Sequence, residues 1–338
     1  MPRIVVDAMG SDDHPTPDVQ GSVDAARAYG VEIILVGDEA KIGPALAAAS
    51  PGRLPIRIVH APEMLTMEDK GEDLAFKARH KDAKNSMAVG MDLVKKGEAD
   101  AFVTAGNTGA AMVTALFRLG RIRGVERPGL APIFPTASGF CVVLDIGANP
   151  DCKPENLLQF AILGSVYAEK VRGVKHPKVG LVSNGEEEGK GNELVKAATP
   201  LLKQAKINYF GNVEGKEVIG GSVDVAVTDG FTGNVMLKSS EAVAKMLVDK
   251  IRETIKGGSL LTKIGGLLVK PALGSIKKVL DPSEQGAAPL LGINGLVFIG
   301  HGRSNAFAIQ NAIRVANDAV EANVIGAMKS AIEENLKG

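Results

Sequence analysis

The sequence predicts an α/β protein, a three-layer α/β/α sandwich built around a mainly parallel sheet. Short apolar runs rich in Val and Ile recur, and each leads into a loop that contains Gly, Asn or Asp. Such continuous runs are typical of strands that are covered on both faces, as in a parallel sheet between helix layers. The predicted strands are residues 4–6, 32–36, 101–104, 140–144, 178–182, 223–227 and 296–299. Because ligands of such sheets bind beyond the carboxyl ends of the strands, we expect the following loops to form the site.

The composition is that of an ordinary globular protein and argues against some functions. The chain has 338 residues, of which 45% are hydrophobic and 23% are charged, and this length suits one large or two ordinary domains. The 39 basic and 39 acidic residues cancel, so no overall field would attract nucleic acid. Tryptophan is absent and aromatic residues make up 4%, which argues against a surface for stacking bases.

No linker or repeat divides the chain, so residues 1–338 are predicted to form a single α/β catalytic domain. Its two cysteines, Cys141 and Cys152, form no C-x-x-C pair, which favours a reducing cytosol. The first residues enter a strand without a signal-peptide pattern, and no uncharged apolar run approaches the ~20 residues that span a bilayer. We therefore expect a cytoplasmic protein.

The loop at residues 183–192 has the composition of an anion site. It follows the apolar run 178–182 and precedes a helical pattern; its glycines would let backbone N–H groups approach a ligand. Lys190, among these glycines, is either a phosphate ligand or an exposed lysine in a surface loop. The glutamates at 186–188 would repel the same anion, so we expect them to cap the next helix or hold the loop rather than bind a metal.

Three further loops carry polar side chains where predicted strands end. The amides of Asn107 and Asn234 would either hold an oxyanion or bond their own backbone in a turn. Asp229 would cap the following helix more readily than act in catalysis. His301, which lies between two glycines and is followed by Arg303, is either a site residue or a structural histidine.

The common cofactor and nucleophile motifs do not occur in the sequence. No G-x-G-x-x-G follows the first strand, and G-x-x-x-x-G-K-[ST] and G-x-S-x-G are absent. These patterns mark dinucleotide sites, P-loops and nucleophile elbows. We therefore predict no cofactor and no metal.

The segment after Gly258 is predicted to be an amphipathic helical protrusion, which with the preceding helix spans residues 239–281. Its apolar face carries Leu260, Leu261, Ile264, Leu267, Leu268 and, beyond an expected interruption at Pro271, Leu273, Ile276 and Leu280. Its basic residues include Lys263, Lys270, Lys277 and Lys278. It would either pack on the core or a second copy, or lie on anionic lipid or an acidic protein. Glycines 265 and 266 cost about 1 kcal/mol each in a helix, so a partner surface would be needed.

Taken together, the loop sequences resemble the bacterial phosphate acyltransferases of phospholipid synthesis, which convert acyl-[acyl-carrier protein] to acyl phosphate. The matching blocks are DAMGSD (7–12), AGNTGA (105–110), LDIGAN (144–149), NGEE (184–187), KGNE (190–193), GNVEG (211–215), DGFTGNV (229–235), GAAPLLG (286–292) and HGRS (301–304). Two positions depart from the family pattern, Ser11 and Ala288, where we expect glycine. Both residues are small, so we expect only local changes in the backbone there.

The resemblance implies a fold similar to phosphotransacetylase and to the isopropylmalate dehydrogenase group. It also implies a homodimer, peripheral association with an anionic membrane surface through the amphipathic segment, and use by a downstream acyl-phosphate glycerol-3-phosphate acyltransferase. On this basis Lys190 would bind phosphate and stabilise the transition state, and Asn234 would hold the thioester carbonyl or the pantetheine arm. The other substrate-binding residues would be Gly106, Asn107, Thr108, Gly109, Asn184, Gly185, Asp229, Gly230, Thr232, Gly233, His301 and Arg303. Backbone N–H groups at 106–109 and 230–233 would complete a phosphate cradle.

Three other functions are weighed against this one. A phosphotransacetylase that acts on short acyl-coenzyme A shares the chemistry but does not need a basic amphipathic tip. A membrane-associated scaffold without activity does not need glycine-rich polar loops at strand ends. An NAD-dependent decarboxylating dehydrogenase needs a cluster of metal-binding aspartates, which the sequence does not indicate.

Overall fold

The structure, a computed structural model, describes residues 1–66, 68, 69, 71–80 and 82–336. At residues 79, 272, 273, 275–278 and 280 it describes the backbone but not the side chains. The predicted Lys277 and Lys278 contacts therefore lie outside the described side chains.

Strands and helices alternate along most of the chain. The strands are β1 (Arg3–Asp7), β2 (Glu32–Gly37), β3 (Ile56–His60), β4 (Ala101–Thr104), β5 (Gly129–Leu130), β6 (Ile133–Thr136), β7 (Gly139–Leu144), β8 (Lys178–Val182), β9 (Asn208–Val213), β10 (Val225–Val227), β11 (Ala287–Leu291) and β12 (Leu296–Gly300). The helices are α1 (Thr16–Tyr29), α2 (Glu39–Ala48), α3 (Gly71–Arg79), α4 (Ser86–Lys95), α5 (Thr108–Arg118), α6 (Pro154–Lys170), α7 (Glu193–Gln204), α8 (Gly215–Gly220), α9 (Gly230–Gly257), α10 (Leu260–Leu280), α11 (Ala306–Glu321) and α12 (Val324–Leu336). A 3₁₀ turn, Pro282–Glu284, joins α10 to β11.

The strands form two mainly parallel sheets. The first has the order β3-β2-β1-β4-β12-β11-β5, in which β11 runs antiparallel to both of its neighbours. The second has the order β6-β7-β10-β8-β9, in which only the β6–β7 pair is antiparallel. Each predicted strand has a counterpart. The predicted α/β class is confirmed, and the structure adds the division into two sheets.

One hydrophobic core joins the two sheets. Val103 of β4 and Leu144 of β7, which belong to different sheets, lie in the same cluster of fully buried side chains. Helix α6 packs against α7, α12 and β10, and its Phe160 and Tyr167 are fully buried in this cluster. This shared core places the loops of one sheet beside those of the other.

Asp and Asn side chains begin many of the helices. The side-chain oxygen of the residue before the helix accepts a hydrogen bond from a first-turn N–H group, which that turn otherwise leaves unpaired. These caps are Asp38 (α2), Asn85 (α4), Asn107 (α5), Asn192 (α7), Asp229 (α9) and Asn305 (α11). Two of the predicted site residues, Asn107 and Asp229, are therefore helix caps.

Helix α10 departs from the sequence prediction at Pro271. We expected Pro271 to interrupt the helix, but α10 continues through it to Leu280. Proline removes one N–H donor, here the donor to the carbonyl of Leu267. Because the Leu267 side chain is exposed, water can bond that carbonyl, and the remaining hydrogen bonds keep the helix intact. The predicted segment 239–281 thus contains most of α9 and all of α10, which pack against each other.

Close packing of α9 on β7 depends on Gly233. A Cβ atom at this position would overlap the carbonyl oxygen of Asp145. We expect Gly233→Ala to lower the free energy of unfolding by about 1–3 kcal/mol, because the helix would have to move away from the strand. Gly265→Ala is the control: this helical glycine has open space around it, so the substitution should raise stability by up to about 1 kcal/mol. Equal effects in urea denaturation would contradict the packing argument.

Candidate active site

The order of the first sheet places three polar loops side by side. Strands β1, β4 and β12 are neighbours, so the loops that follow them meet at one edge. The N–H of Asp12 donates to the carbonyl of Gly302 over 2.7 Å. A Cβ atom at Gly10 would lie 2.9 Å from the backbone nitrogen of Gly106, so glycine is needed there.

Buried side chains hold the backbone of these loops. The Thr104 hydroxyl donates to Asp7 over 2.8 Å and accepts from the N–H of Gly106 over 2.9 Å. Asp7 also accepts from the N–H of Met9, and burial raises the pKa of this carboxyl group. The N–H of Gly106 is thus already bonded, contrary to the predicted cradle.

Ser11, one of the two departures from the family pattern, has a side-chain partner. Its hydroxyl donates to Asp18 over 2.5 Å, and both side chains are buried. Burial raises the pKa of Asp18 to about 7, although the Ser11 hydrogen bond opposes this shift. The serine therefore makes a hydrogen bond that a glycine at this position could not make. We had expected only a local change in the backbone.

Asn107 is a structural residue in this arrangement. Its Oδ1 accepts from the N–H of Ala110 over 3.0 Å, and its Nδ2 donates to the carbonyls of Thr66 and Asp69 over 3.1 and 3.3 Å. Because both ends of the amide are occupied, the geometry favours the turn interpretation over the oxyanion one. The other predicted ligands of α5 lie exposed in its first turn, Thr108 and Gly109.

Asp145 anchors the corresponding edge of the second sheet. This buried carboxylate accepts from the backbone N–H groups of Leu130, Ile146 and Asn149 over 2.9, 2.7 and 2.6 Å. The side chain of Asn149 donates to it over 3.0 Å. Burial raises the pKa of Asp145, and these hydrogen bonds act against that rise. Because Leu130 belongs to the first sheet, Asp145 connects the two edges.

Several groups in the first turn of α9 are already hydrogen-bonded within the protein. The Asp229 carboxylate accepts from both the N–H and the hydroxyl of Thr232 over 2.8 Å. The N–H of Gly230 donates to the carbonyl of Asn149, and the N–H of Gly233 to the carbonyl of Asp229. These three N–H groups are already bonded, so the geometry does not favour their part in a phosphate cradle. Glycine is needed at 230 and 233 for close packing on the 145–149 loop.

Asn234, the next residue of α9, remains available to a ligand. Its side chain is exposed and would lie 3.9 Å from a Cβ atom at Gly147. It therefore projects beside the loop that follows β7. The sequence prediction for Asn234 is compatible with this position.

Lys190 is exposed in a loop whose neighbouring charges are paired. Ion pairs join Glu186 to Lys216 and Glu188 to Lys203. Within the described part of the chain, no ion pair includes Lys190. Two of the three glutamates thus tie the loop to neighbouring lysines, and Asn192 rather than a glutamate caps α7.

Asn184 and Gly185 shape this loop. The Asn184 side chain accepts from the N–H of Gly191 over 2.9 Å. A Cβ atom at Gly185 would lie 2.9 Å from Cγ of Lys190, so a side chain there would displace the lysine. Both predicted ligands therefore act on the loop itself.

The carboxylates of Glu186, Glu214 and Glu217 approach within 4.8 Å of one another. The ammonium group of Lys216 lies 2.7–3.6 Å from all three. This lysine already supplies the positive charge that a metal ion would bring.

A cleft of about 460 Å³ opens where α7 and α9 begin. It is lined by Pro150, Asp151, Cys152, Asn192, Leu194, Asp229, Phe231 and Thr232. Asn192 is the residue of the Lys190 loop that lines this cleft. Asn234 lies two residues after Thr232, the last α9 residue of the lining. Burial raises the pKa of the Cys152 thiol to about 11, so this thiol stays protonated at neutral pH.

His301 links the first-sheet loops to α9. Partial burial lowers its pKa; Glu241 favours the charged form, whereas Arg303 and Lys238 disfavour it. Two of these groups, Lys238 and Glu241, belong to α9. His301 is therefore neutral at pH 7, and the exposed Arg303 supplies the permanent positive charge of this loop.

Two mainly parallel sheets with helices around them, and polar loops at their carboxyl edges, define an α/β fold. The structure resembles the EutD phosphotransacetylase from Staphylococcus aureus, with a TM-score of 0.59 and 16% identity over 95% of this chain and 94% of that one. It also resembles a putative 4-hydroxythreonine-4-phosphate dehydrogenase from Salmonella typhimurium, with a TM-score of 0.52 and 12% identity over 94% of this chain and 99% of that one. At these identities the likeness concerns the fold alone.

Sequence comparison gives the family. The family model described as fatty acid synthesis protein matches residues 2–327. A phosphate acyltransferase from Pelotomaculum thermopropionicum is 49% identical over 99% of this chain and 97% of its own length. The chain belongs to this fatty acid synthesis family, which confirms the resemblance found in the loop sequences.

Proposed function

We propose that this protein is an acyltransferase that reversibly moves a fatty acyl group from acyl-[acyl-carrier protein] to inorganic phosphate. The product, acyl phosphate, would serve glycerophospholipid synthesis. The observation that carries the proposal is the 49% identity to a phosphate acyltransferase across almost the whole chain. The carrier-protein donor follows from the family resemblance.

The chemistry needs positioning more than acid–base catalysis. Phosphate is partly dianionic near neutral pH, and a leaving thiol with a pKa of about 8.5 needs little help from a general acid. A phosphate oxygen attacks the thioester carbonyl carbon, the C–S bond breaks, and the departing thiolate takes up a proton. Direct attack fits a cleft in which the Cys152 thiol is protonated.

Lys190 and Asn234 are the residues that we assign to the reaction. Lys190 would bind phosphate and offset the charge that develops in the transition state, because it is exposed two residues before Asn192, which lines the cleft. Asn234 would donate its amide N–H to the thioester carbonyl or to the pantetheine arm. Arg303 is a second phosphate ligand, and the neutral His301 would donate or accept a hydrogen bond.

The proposed reaction is tested by direct measurement of acyl phosphate. The purified protein is incubated with inorganic phosphate and either long-chain acyl-carrier protein or acetyl-coenzyme A. We expect turnover with the carrier-protein thioester to be faster by at least about tenfold. Preference for acetyl-coenzyme A would instead identify a short-chain phosphotransacetylase, and no acyl phosphate from either donor would overturn the proposal.

We further propose that α9 and α10 serve a second copy and a membrane surface. Exposed apolar side chains of α9 are suited to a homodimer contact: Val243, Met246, Leu247 and Ile251. On α10, Leu260, Leu261, Leu267 and Leu268 are each at least 75% exposed. The exposed Lys263 and Lys270 lie among them and would attract anionic lipid.

No described helix combines the length and apolarity that crossing a membrane requires. We propose that the association with the membrane is peripheral and that the catalytic domain lies in the cytoplasm. The reactive acyl phosphate would pass to an acyl-phosphate glycerol-3-phosphate acyltransferase at the same surface.

The membrane proposal predicts that a charge on the apolar face of α10 weakens lipid binding. Leu260→Glu and Leu267→Glu should each reduce flotation with anionic vesicles severalfold, because a carboxylate on the apolar face that would enter the lipid opposes insertion. Thr262→Glu adds the same charge at a polar position of the helix and serves as the control. Unchanged flotation of both leucine variants would exclude α10 as the lipid contact.

A further inference from the structure

A side chain of strand β9 supports the loop that carries Lys190. The amide nitrogen of Asn212 donates to the carbonyl of Glu187 over 3.2 Å and reaches the carbonyl of Lys190 at 3.5 Å. Asn212 is only 8% exposed and lies opposite Leu181 of β8. We propose that Asn212 is a positioning residue for acyl transfer. It holds the backbone of the loop and thereby fixes the position of Lys190, without touching the substrate. This inference rests on the function proposed above.

The other supports of this loop are weaker restraints. The ion pairs Glu186–Lys216 and Glu188–Lys203 lie at the surface, where water screens them and long side chains move freely. The bond from Asn184 to the N–H of Gly191 is also exposed. Hydrogen bonds from a buried amide are less screened. Asn212 is therefore the buried side chain that ties this part of the loop to β9, in addition to the loop's own bond from the N–H of Lys190 to the carbonyl of Glu187 over 3.2 Å.

The hydrogen bonds fix the orientation of the Asn212 amide. Turning the amide over would place Oδ1 against two carbonyl oxygens. The amide nitrogen therefore faces the loop and acts on it as a donor.

The first experiment measures acyl phosphate formation by Asn212→Ala and Asn212→Asp in the full-length protein. Misplacement of a catalytic group by about 1 Å costs on the order of 100-fold, so we expect kcat/KM for phosphate to fall about 10- to 100-fold. Asn212→Asp keeps the shape but turns a carboxylate toward the two carbonyls, so it should lose at least as much. The control is Asn311→Ala, since Asn311 is 7% exposed and donates to the carbonyl of Ser283 over 2.9 Å. Its rate should stay within about threefold of the wild type.

The second experiment asks whether Asn212 acts through Lys190. In a Lys190→Ala background, Asn212→Ala should change the rate by less than about threefold, because the group that it positions is already missing. Equal fold losses in the two backgrounds would show a purely structural role and overturn the inference. If Asn212→Ala does not fold, Asn212→Asp provides the same comparison.

A third readout does not depend on activity. Amide hydrogen exchange in residues 183–192 should accelerate in both Asn212 variants, whereas exchange in β4 of the first sheet should stay unchanged. Unchanged exchange in the loop would overturn the inference by itself. The inference would also be overturned if Lys190→Ala were impaired while Asn212→Ala kept the activity of the wild type. The proposed function would stand in that case, because the wild type would still form acyl phosphate. A wild type that formed no acyl phosphate would instead refute the proposed function.

Discussion

Replacing Lys190 by alanine is expected to lower kcat for acyl phosphate formation by about 100- to 1000-fold at saturating phosphate. The reaction concentrates negative charge where phosphate meets the thioester carbonyl, and Lys190 is the exposed cation of the loop that enters the cleft. The neighbouring lysines at 203 and 216 are held in ion pairs, so they are poorly placed to replace it. Steady-state assays over a range of phosphate concentrations would separate the effect on kcat from that on KM.

The control for this variant is Lys41→Ala. Lys41 is an exposed lysine of α2. Its replacement removes the same charge from a helix beside the first sheet, whereas the Lys190 loop follows a strand of the second sheet. Its kcat should stay within about twofold of the wild type. Near-normal turnover of Lys190→Ala would refute the central assignment of the site.

Replacing Asp145 by alanine is expected to lower the free energy of unfolding by about 3–5 kcal/mol. The carboxylate is fully buried and accepts hydrogen bonds from the backbone of Leu130, Ile146 and Asn149 and from the Asn149 side chain. Alanine would leave these donors unpaired in a region that water does not reach. Urea denaturation followed by circular dichroism would measure the change.

Asp13→Ala is the matched control for Asp145→Ala. Asp13 is an exposed aspartate in the loop after β1, so its loss should change stability by no more than about 0.5 kcal/mol. A comparably small effect at Asp145 would mean that the link between the two sheets does not depend on this carboxylate.

The strands that the sequence predicted are those with neighbours on both sides or with continuous apolar runs. The strands that it missed include β3 and β9, which are the edges of their sheets. An edge strand faces solvent along one side, so its residues need not be uniformly apolar. In β9, with the sequence NYFGNV, the first four residues alternate between exposed and partly buried positions. The short strands β6 and β11 each contain a proline, which also weakens the strand signal.

The candidate site was predicted in part. The loops after β4, β7, β8, β10 and β12 do lie at the carboxyl edges of two sheets, and a cleft opens beside the Lys190 loop. Of the N–H groups at 230–233 that we predicted to cradle phosphate, those of Gly230, Thr232 and Gly233 are already bonded to Asn149 and Asp229. The sequence identifies Asn212 only as part of the block GNVEG, because nothing in its local sequence shows that its side chain reaches Lys190, 22 residues earlier.

The sequence by itself determined the α/β class, the polar loops at the ends of strands and the family, because apolar periodicity and loop composition are local properties of the chain. Tertiary structure decided which polar groups are already occupied. The pairs Glu188–Lys203, Asn107–Thr66 and Asp145–Leu130 join residues 15 to 41 positions apart, and such partners follow from packing rather than from spacing. For that reason the chemistry of the site could be inferred from residue types. The distinction between residues available to a ligand and residues that support a loop required the folded chain.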